Sequence, residues 1–353
     1  MRTEYEKGLL SVCMVGYNHA KYAKAAVDAV NKIRHDKVEL IVLDDGSSDN
    51  SAEVLSLLAR QSRVPMTPIL QANTGNIGHN FNVALSRARG EFVAMISLDD
   101  MLIPEKVDSL LSCIIEDKAL ALIASTKIMG VNESGDIDAD SVPPLPIDAV
   151  QSPTVTDLLE MEYEKFGAFY IQGAVFRRCV IDAVGGFDED MTGDDIILRT
   201  KVFNYLKCNP HWKFKLVHEP TCMYRQHSTN VHNNSLRQMK IITEYLERYW
   251  PDRPNPPMLI DCAMYTLSKM PKNQWVDFFG LNKRALSCLS DGRILEMFEK
   301  KVWVDTIIFK IPFFCITYRK RNQMCKERRI EISIFGKSIC VYRKVKVHIE
   351  RER

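Results

Sequence analysis

Two adjacent aspartates, Asp99 and Asp100, close the apolar run Phe92-Val93-Ala94-Met95-Ile96-Ser97-Leu98. Carboxylates at the end of a buried strand are costly unless a cation or a polar ligand meets them. A divalent metal is the partner this pair suggests; a helix cap ahead of Pro104 explains one aspartate but not both. Three other polar clusters also follow apolar runs: Tyr17-Asn18-His19, Asp44-Asp45-Gly46-Ser47 and Asn73-Thr74-Gly75.

The elements that must position these clusters alternate. The pattern predicts strands over 9–15, 38–43, 68–71 and 92–98, with helices over 22–34, 51–61 and 80–89. That rhythm means βαβ units and a mostly parallel sheet. In such sheets ligands bind beyond the carboxyl ends of the strands, so the four clusters should line one crevice.

Further on, a helix from Pro104 to about 115 and a strand near 120–128 are expected. Residues 130–153, rich in Asp, Pro, Ser and Gly, read as a long surface loop. Residues 169–177 look strand-like, a helix opens at Gly193-Asp194-Asp195, a strand spans 214–218, and 237–250 form an amphipathic helix. Four prolines within 251–257 close a main domain of residues 1–250, leaving a C-terminal extension of residues 251–353.

Composition excludes several classes. Residues 300–329 hold nine basic residues against two acidic ones, a local +7 that leaves the remainder at −5 despite a net charge of +2. A mildly acidic body argues against a nucleic-acid-binding core. Ten scattered cysteines, no two of them three apart, suggest neither a zinc ribbon nor a disulfide framework. A reducing, cytoplasmic setting fits them. The opening residues are too charged for a signal peptide, and no apolar run of about 18 residues predicts a membrane span.

The four clusters and their order resemble the inverting family 2 glycosyltransferases of the GT-A fold, of the kind that build bacterial cell-envelope polysaccharides, from about Leu9 to about Asn230. The fold implied is Rossmann-like α/β, a mostly parallel sheet with flanking helices, carrying a small C-terminal helical and hairpin extension. Tyr17-Asn18 match the end of the family's first strand, with Val15 and Gly16 in place of its Pro and Thr. The nucleotide signature is complete as Asp44-Asp45-Gly46-Ser47-Ser48-Asp49. A carboxylate there can accept the imide proton of a pyrimidine, and Gly46 allows the close turn. A plain Asx turn with a helix cap would use the same residues. An EF-hand loop is excluded, since its glycine and terminal glutamate are missing.

The resemblance implies a nucleotide-sugar site of Tyr17, Asn18, Asp45, Ser47, Asn73, Asn76, Asn82, Asp99 and Arg225. The family's Asp-x-Asp-Asp metal motif reads Ser97-Leu98-Asp99-Asp100, so Asp99 is the expected ligand to Mg²⁺ or Mn²⁺, which would stabilise a leaving nucleoside diphosphate. Gly185-Gly186-Phe187-Asp188-Glu189 followed by Asp194-Asp195 resembles the family's Gly-Gly-Phe-Asp-Glu and Glu-Asp pair. Both Asp194 and Asp195 are thereby candidate catalytic acids, with Asp195 as the general base for an acceptor hydroxyl; acids in the first turn of a helix also favour its dipole. Tyr224-Arg225-Gln226-His227 resembles the segment whose His approaches the metal and whose Arg contacts phosphate.

Apolar residues from Trp303 to Phe314, followed by basic ones, resemble an interfacial anchor for the inner face of a membrane; packing on the catalytic domain is the alternative. The leading function is transfer of a sugar from a nucleotide-sugar donor to a saccharide or lipid-linked saccharide. A non-catalytic nucleotide-sugar or saccharide-binding module is the second reading. A dinucleotide oxidoreductase is a distant third, since no G-x-G-x-x-G turn follows the first strand.

Overall fold

The computed structural model describes residues 4–347 except 139, 143, 168–169, 231–232, 301–302, 312–313, 323–324 and 335–336, with the backbone alone from 299 onward. Two compact units emerge: Met1–Leu259 with Val276–Ala285, and Ile260–Trp275 with Leu286–Arg353.

The first unit is built on β1 (Glu6–Gly16), α1 (Ala20–Asn31), β2 (Val38–Asp44), α2 (Ser51–Gln61), β3 (Met66–Leu70), α3 (Ile77–Arg87) and β4 (Gly90–Ser97). After these come β5 (Met101–Leu102), α4 (Pro104–Glu116), β6 (Leu120–Ser125), β7 (Met129–Val131), α5 (Val155–Lys165), β8 (Val175–Arg177) and α6 (Arg178–Ala183). Then follow α7 (Asp195–Cys208), β9 (Lys213–Val217), β10 (Cys222–Arg225) and α8 (Ser235–Tyr249). The main sheet runs β3-β2-β1-β4-β8-β6-β9. All its pairings are parallel except those of β8, which is antiparallel to both neighbours.

Alternation along the central strands feeds two cores. Leu10, Val12, Met14, Leu40, Val42, Ala94 and Ile96 pack with α1, α2 and α4, while Cys13, Val15, Ile41, Leu43, Val93 and Met95 pack with α3, α5, α6 and α7. Burial on both faces is why these strands read as unbroken apolar runs. The chain order places β2 and β4 on opposite sides of β1. Their carboxyl ends therefore diverge around a crevice at the point where the winding reverses.

Four features depart from the expectations. Of residues 169–177 only Val175–Arg177 is a strand, because Gly173 adopts φ +76°, where the small residue fits against Thr221; Phe169 lies outside the described residues. Helix α5 was not foreseen, although Thr154 and Asp157 form a capping box at its start. The expected surface loop begins inside β7, which joins β5 and β10 in a second small sheet, and it buries Ile147 in the core beside α3 and α7. In the second unit the expected hairpin is a four-stranded antiparallel sheet, β11 (Trp303–Ile311), β12 (Phe314–Asn322), β13 (Cys325–Ile334) and β14 (Lys337–Val347). The segment read as an anchor thus supplies its first strand, and part of its second; its side chains lie outside the described residues. Among the described residues no helix is long and apolar enough to cross a membrane.

Gly46 is the turn on which the β2–α2 loop depends. It sits at φ +68°, and a Cβ there would lie 2.4 Å from the Asn73 backbone nitrogen. Gly46→Ala is expected to cost more than the ~1–3 kcal/mol of a left-handed residue alone. Gly185→Ala, at φ +77° with nothing within 4 Å, isolates that conformational cost. Thermal melts should therefore show the larger loss for the Gly46 variant.

Candidate active site

The β1–α1 and β2–α2 loops interlock. Asn18, at φ +58°, donates its backbone N–H to Ser47 Oγ at 2.7 Å, and its side-chain oxygen accepts from the N–H groups of Ser48 at 2.8 Å and Asp49 at 3.3 Å. Ser47 in turn donates to the Asp44 carboxylate through its hydroxyl and, at 3.0 Å, its backbone N–H. Asn18 and Ser47 thus join the two loops. Tyr17, the residue after β1, is 46% exposed.

Asp45 organises the neighbouring 71–75 loop. Its carboxylate accepts from Gln71 Nε2 at 3.0 Å, from the Thr74 N–H at 2.9 Å and hydroxyl at 3.0 Å, and from the Gly75 N–H at 3.0 Å. Asn73 Nδ2 donates to the Asp45 carbonyl at 2.8 Å. Burial pushes the Asp45 carboxyl up, but these hydrogen bonds outweigh it and hold the group below the usual range. Asn76 and Asn82 face another segment. Asn76 caps α3 by accepting the His79 N–H at 2.9 Å and donates to the Glu189 carbonyl. Asn82 exchanges bonds with both backbone groups of Phe187 at 2.9 Å and donates to Glu189 at 2.8 Å. These two amides clamp α3 to the Gly-Gly-Phe-Asp-Glu segment.

The second small sheet carries the next cluster to the end of β4. Strand β10 pairs with β5 and β7, and its exit loop is fixed by Asn230, whose side chain accepts the His227 N–H at 2.7 Å and donates to the Arg225 carbonyl at 2.9 Å. Arg225 is buried. Its guanidinium donates to the carbonyls of Asp99 at 2.9 Å and Glu133 at 2.7 Å and covers the Tyr22 ring at 4.9 Å. The side chain expected at phosphate is therefore used to staple three loops.

Asp99 and Asp100 have separate roles. Asp100 accepts the Arg225 backbone N–H at 2.9 Å, and burial followed by the Asp99 charge pushes its carboxyl well above the ordinary range. Asp99, 8% exposed, has Oδ2 2.9 Å from His227 Nε2 and 3.7 Å from His19 Nε2. Burial raises its carboxyl, yet the His227 bond, the His19 ring and Ser97 together hold it below the usual value. Ligand atoms of His19, Asp99 and His227 all lie within 4.8 Å of one another. Asp99 Oδ1 and His19 Nδ1 are buried without a hydrogen-bond partner. An ionised carboxylate, neutral imidazole and orphaned lone pairs fit a divalent cation. His19 did not emerge as a ligand from the sequence; its position three residues past the first strand was the one signal.

Asp195 is the first residue of α7. Its Oδ1 is buried without a partner, although the side chain as a whole keeps 18% of its exposure. Burial, then the adjoining Asp194 charge, pushes its carboxyl up to about 7 against the lowering effects of Arg199 and the Ile171 N–H. Asp194 is likewise raised, chiefly by burial. Arg199, one turn on, stands with Nη1 3.8 Å from Asp195 Oδ2. It is held by Glu162 of α5 in a buried two-pronged pair of 2.6 and 3.1 Å. Tyr170 and Tyr224 stack at 5.6 Å. The Tyr170 hydroxyl is raised by burial first and then by the charge of Asp195, with a smaller effect from Asp100, so both acids lie within electrostatic reach of it.

Residues 11–169 match the model of glycosyl transferase family 2. An uncharacterized glycosyltransferase of Nostoc is 28% identical over 230 residues, covering 63% of this chain and 66% of that protein. The chondroitin synthase of Pasteurella multocida is 33% identical over 133 residues, 37% of this chain and 13% of that one. The chain thus spans under two thirds of the length of these curated relatives. Among solved structures, S. aureus TarS 1-349 in complex with UDP-GlcNAc superposes with a TM-score of 0.54 at 16% identity over 80% of each chain. Residues 11–169 are a glycosyl transferase family 2 domain, and the fold around them is that of the GT-A enzymes.

Proposed function

We propose that this chain is an inverting glycosyltransferase that moves a sugar from a nucleotide-sugar donor to a saccharide or lipid-linked saccharide, with Asp195 as general base. The single observation that carries the reading is the Asp195 carboxyl. It is pushed up to about 7, has an unpartnered oxygen, and lies within electrostatic reach of Asp100, the neighbour of Asp99. A base of that strength accepts a hydroxyl proton near neutral pH.

The acceptor oxygen would give its proton to Asp195 as it bonds to the anomeric carbon. The bond from that carbon to the diphosphate oxygen breaks on the opposite face, so the configuration inverts. Asp99 and His227 would hold Mg²⁺ or Mn²⁺, which when bound supplies Lewis-acid stabilisation of the departing diphosphate. Tyr17, an exposed aromatic at the end of β1, would stack on the nucleobase, and the 71–75 loop that Asp45 organises would form part of the donor site. Nucleotide-sugar recognition is supported by the family match and by the UDP-GlcNAc complex of the TarS relative. A non-catalytic module on the same fold is the second reading, favoured by Ser97 in place of a carboxylate.

Calorimetric titration of the protein with UDP, GDP and dTDP, with and without Mn²⁺, tests the donor site. One nucleotide should bind in a metal-dependent way, and Asp99→Ala should weaken it at least tenfold, on the order found when metal sites lose a supporting group. Failure of a well-folded protein to bind any of the three would overturn both the enzyme and the module. Binding without release of nucleotide from any donor sugar would favour the module.

A further inference from the structure

We propose that His19 is a third protein ligand of the metal, so that this chain binds its cation through two imidazoles and one carboxylate. The inference rests on the metal-assisted reading above and adds a residue and a selectivity to it.

The position that would carry a first carboxylate is Ser97, which leaves Asp99 as the acid of the cluster among the described residues. His19 enters from a different loop, beyond β1, and approaches the same Asp99 oxygen as His227 does. The two rings are 5.9 Å apart and nearly perpendicular, at 82°, so their edges converge on Asp99 without stacking. Each ring is held by its surroundings. Thr229 Oγ1 lies 2.8 Å from His227 Nδ1, the outer contact that orients a ligating imidazole. Tyr22 packs against both rings, at 5.8 Å from His19 and 5.0 Å from His227.

Without a cation the arrangement leaves two costs uncompensated. Asp99 Oδ1 and His19 Nδ1 are both buried with no hydrogen-bond partner, whereas buried polar atoms are ordinarily paired. A cation bound to Asp99 and to the two rings would answer the first, and rotation of the His19 ring would offer either nitrogen to it. The donor set also determines which ion is preferred. Carboxylate and phosphate oxygens suit both Mg²⁺ and Mn²⁺, whereas each imidazole shifts the balance from Mg²⁺ toward first-row ions, least for Mn²⁺ and more for Co²⁺ and Zn²⁺. Two imidazoles with a single carboxylate should therefore shift preference away from Mg²⁺.

Electron spin echo modulation of Mn²⁺ bound to the full chain with UDP, GDP or dTDP counts the nitrogens directly bonded to the metal, independently of turnover. Two imidazole nitrogens are expected in the wild type and one each in His19→Ala and His227→Ala. His19→Ala should also lower Mn²⁺ affinity at least tenfold, with a smaller loss for Mg²⁺. One nitrogen in the wild type that persists in His19→Ala would overturn the proposal while leaving the Asp99 and His227 site intact. No protein-bound Mn²⁺ in either wild type or Asp99→Ala would overturn the metal reading itself. His19→Asp should restore a carboxylate and move the preference back toward Mg²⁺; an unchanged ratio of Mn²⁺ to Mg²⁺ affinity would count against His19 as a ligand.

Discussion

Asp195→Asn is expected to lower kcat by roughly 10²–10⁴-fold, the range attributed to a positioned general base, while nucleotide binding in the titrations above is retained. The amide keeps the size of the carboxyl and removes its capacity to take a proton. In the wild type kcat/KM should fall as pH drops below about 7, because the base is then protonated. An Asp195→Asn protein with wild-type turnover would remove Asp195 from the chemistry.

Stability should move in the opposite sense. The folded Asp195 carboxyl titrates above its unfolded value, so its contribution to stability is fully present below the ordinary carboxyl range and is lost as pH rises through about 7. Asp195→Asn never ionises. It is expected to melt above the wild type at pH 8, by a margin that shrinks toward pH 5. A variant that is more stable yet nearly inactive is what a strained catalytic group predicts, and melting curves at the two pH values check it.

Glu162→Ala is expected to destabilise the protein by about 3–5 kcal/mol, the cost of breaking a buried ion pair from one side. Glu162 is fully buried, and Arg199 loses with it a bond of 2.6 Å and another of 3.1 Å. For a domain of this size the melting temperature should drop by on the order of 10 °C. Glu162→Gln keeps one acceptor and should fall between. Both changes free Arg199 toward Asp195 Oδ2, now 3.8 Å away. A guanidinium drawn closer favours the carboxylate, so the acid limb of kcat/KM should shift to lower pH in Glu162→Gln. An unchanged melting temperature in Glu162→Ala would show that the pair contributes nothing to the fold.

Much of the β/α alternation up to Ser97 was legible because β1, β2 and β4 are buried on both faces and each helix on one. Apolar runs and 3.6-residue stripes are local signals, and helix α2 was placed to the residue. Short strands were not legible. Strands β5, β7 and β10 hold two to four residues each, too few for a period, and they exist because Met101, Met129 and Met223 meet across the chain. Helix α5 escaped notice for a different reason. Its capping box is a local signal, but it follows a proline-rich stretch whose composition reads as loop.

For the site, the sequence by itself determined which groups are available: polar clusters after each of the first four strands, with acids after the second and fourth, the acid pair that opens α7, and a histidine at residue 227. It also implied that the four clusters share one crevice, since parallel strands deliver their carboxyl ends to the same edge. Only the tertiary structure decided what each group does there. Arg225 and Asn82 are spent on backbone groups, Asp99 is held ionised while its neighbour Asp100 is pushed up, and His19 and His227, 208 positions apart in the chain, converge on one carboxylate oxygen. Residue type sets what a side chain can bond to. Which of its atoms remain unbonded, and how far burial shifts its charge, depends on neighbours brought together from distant sequence, and no local pattern encodes them.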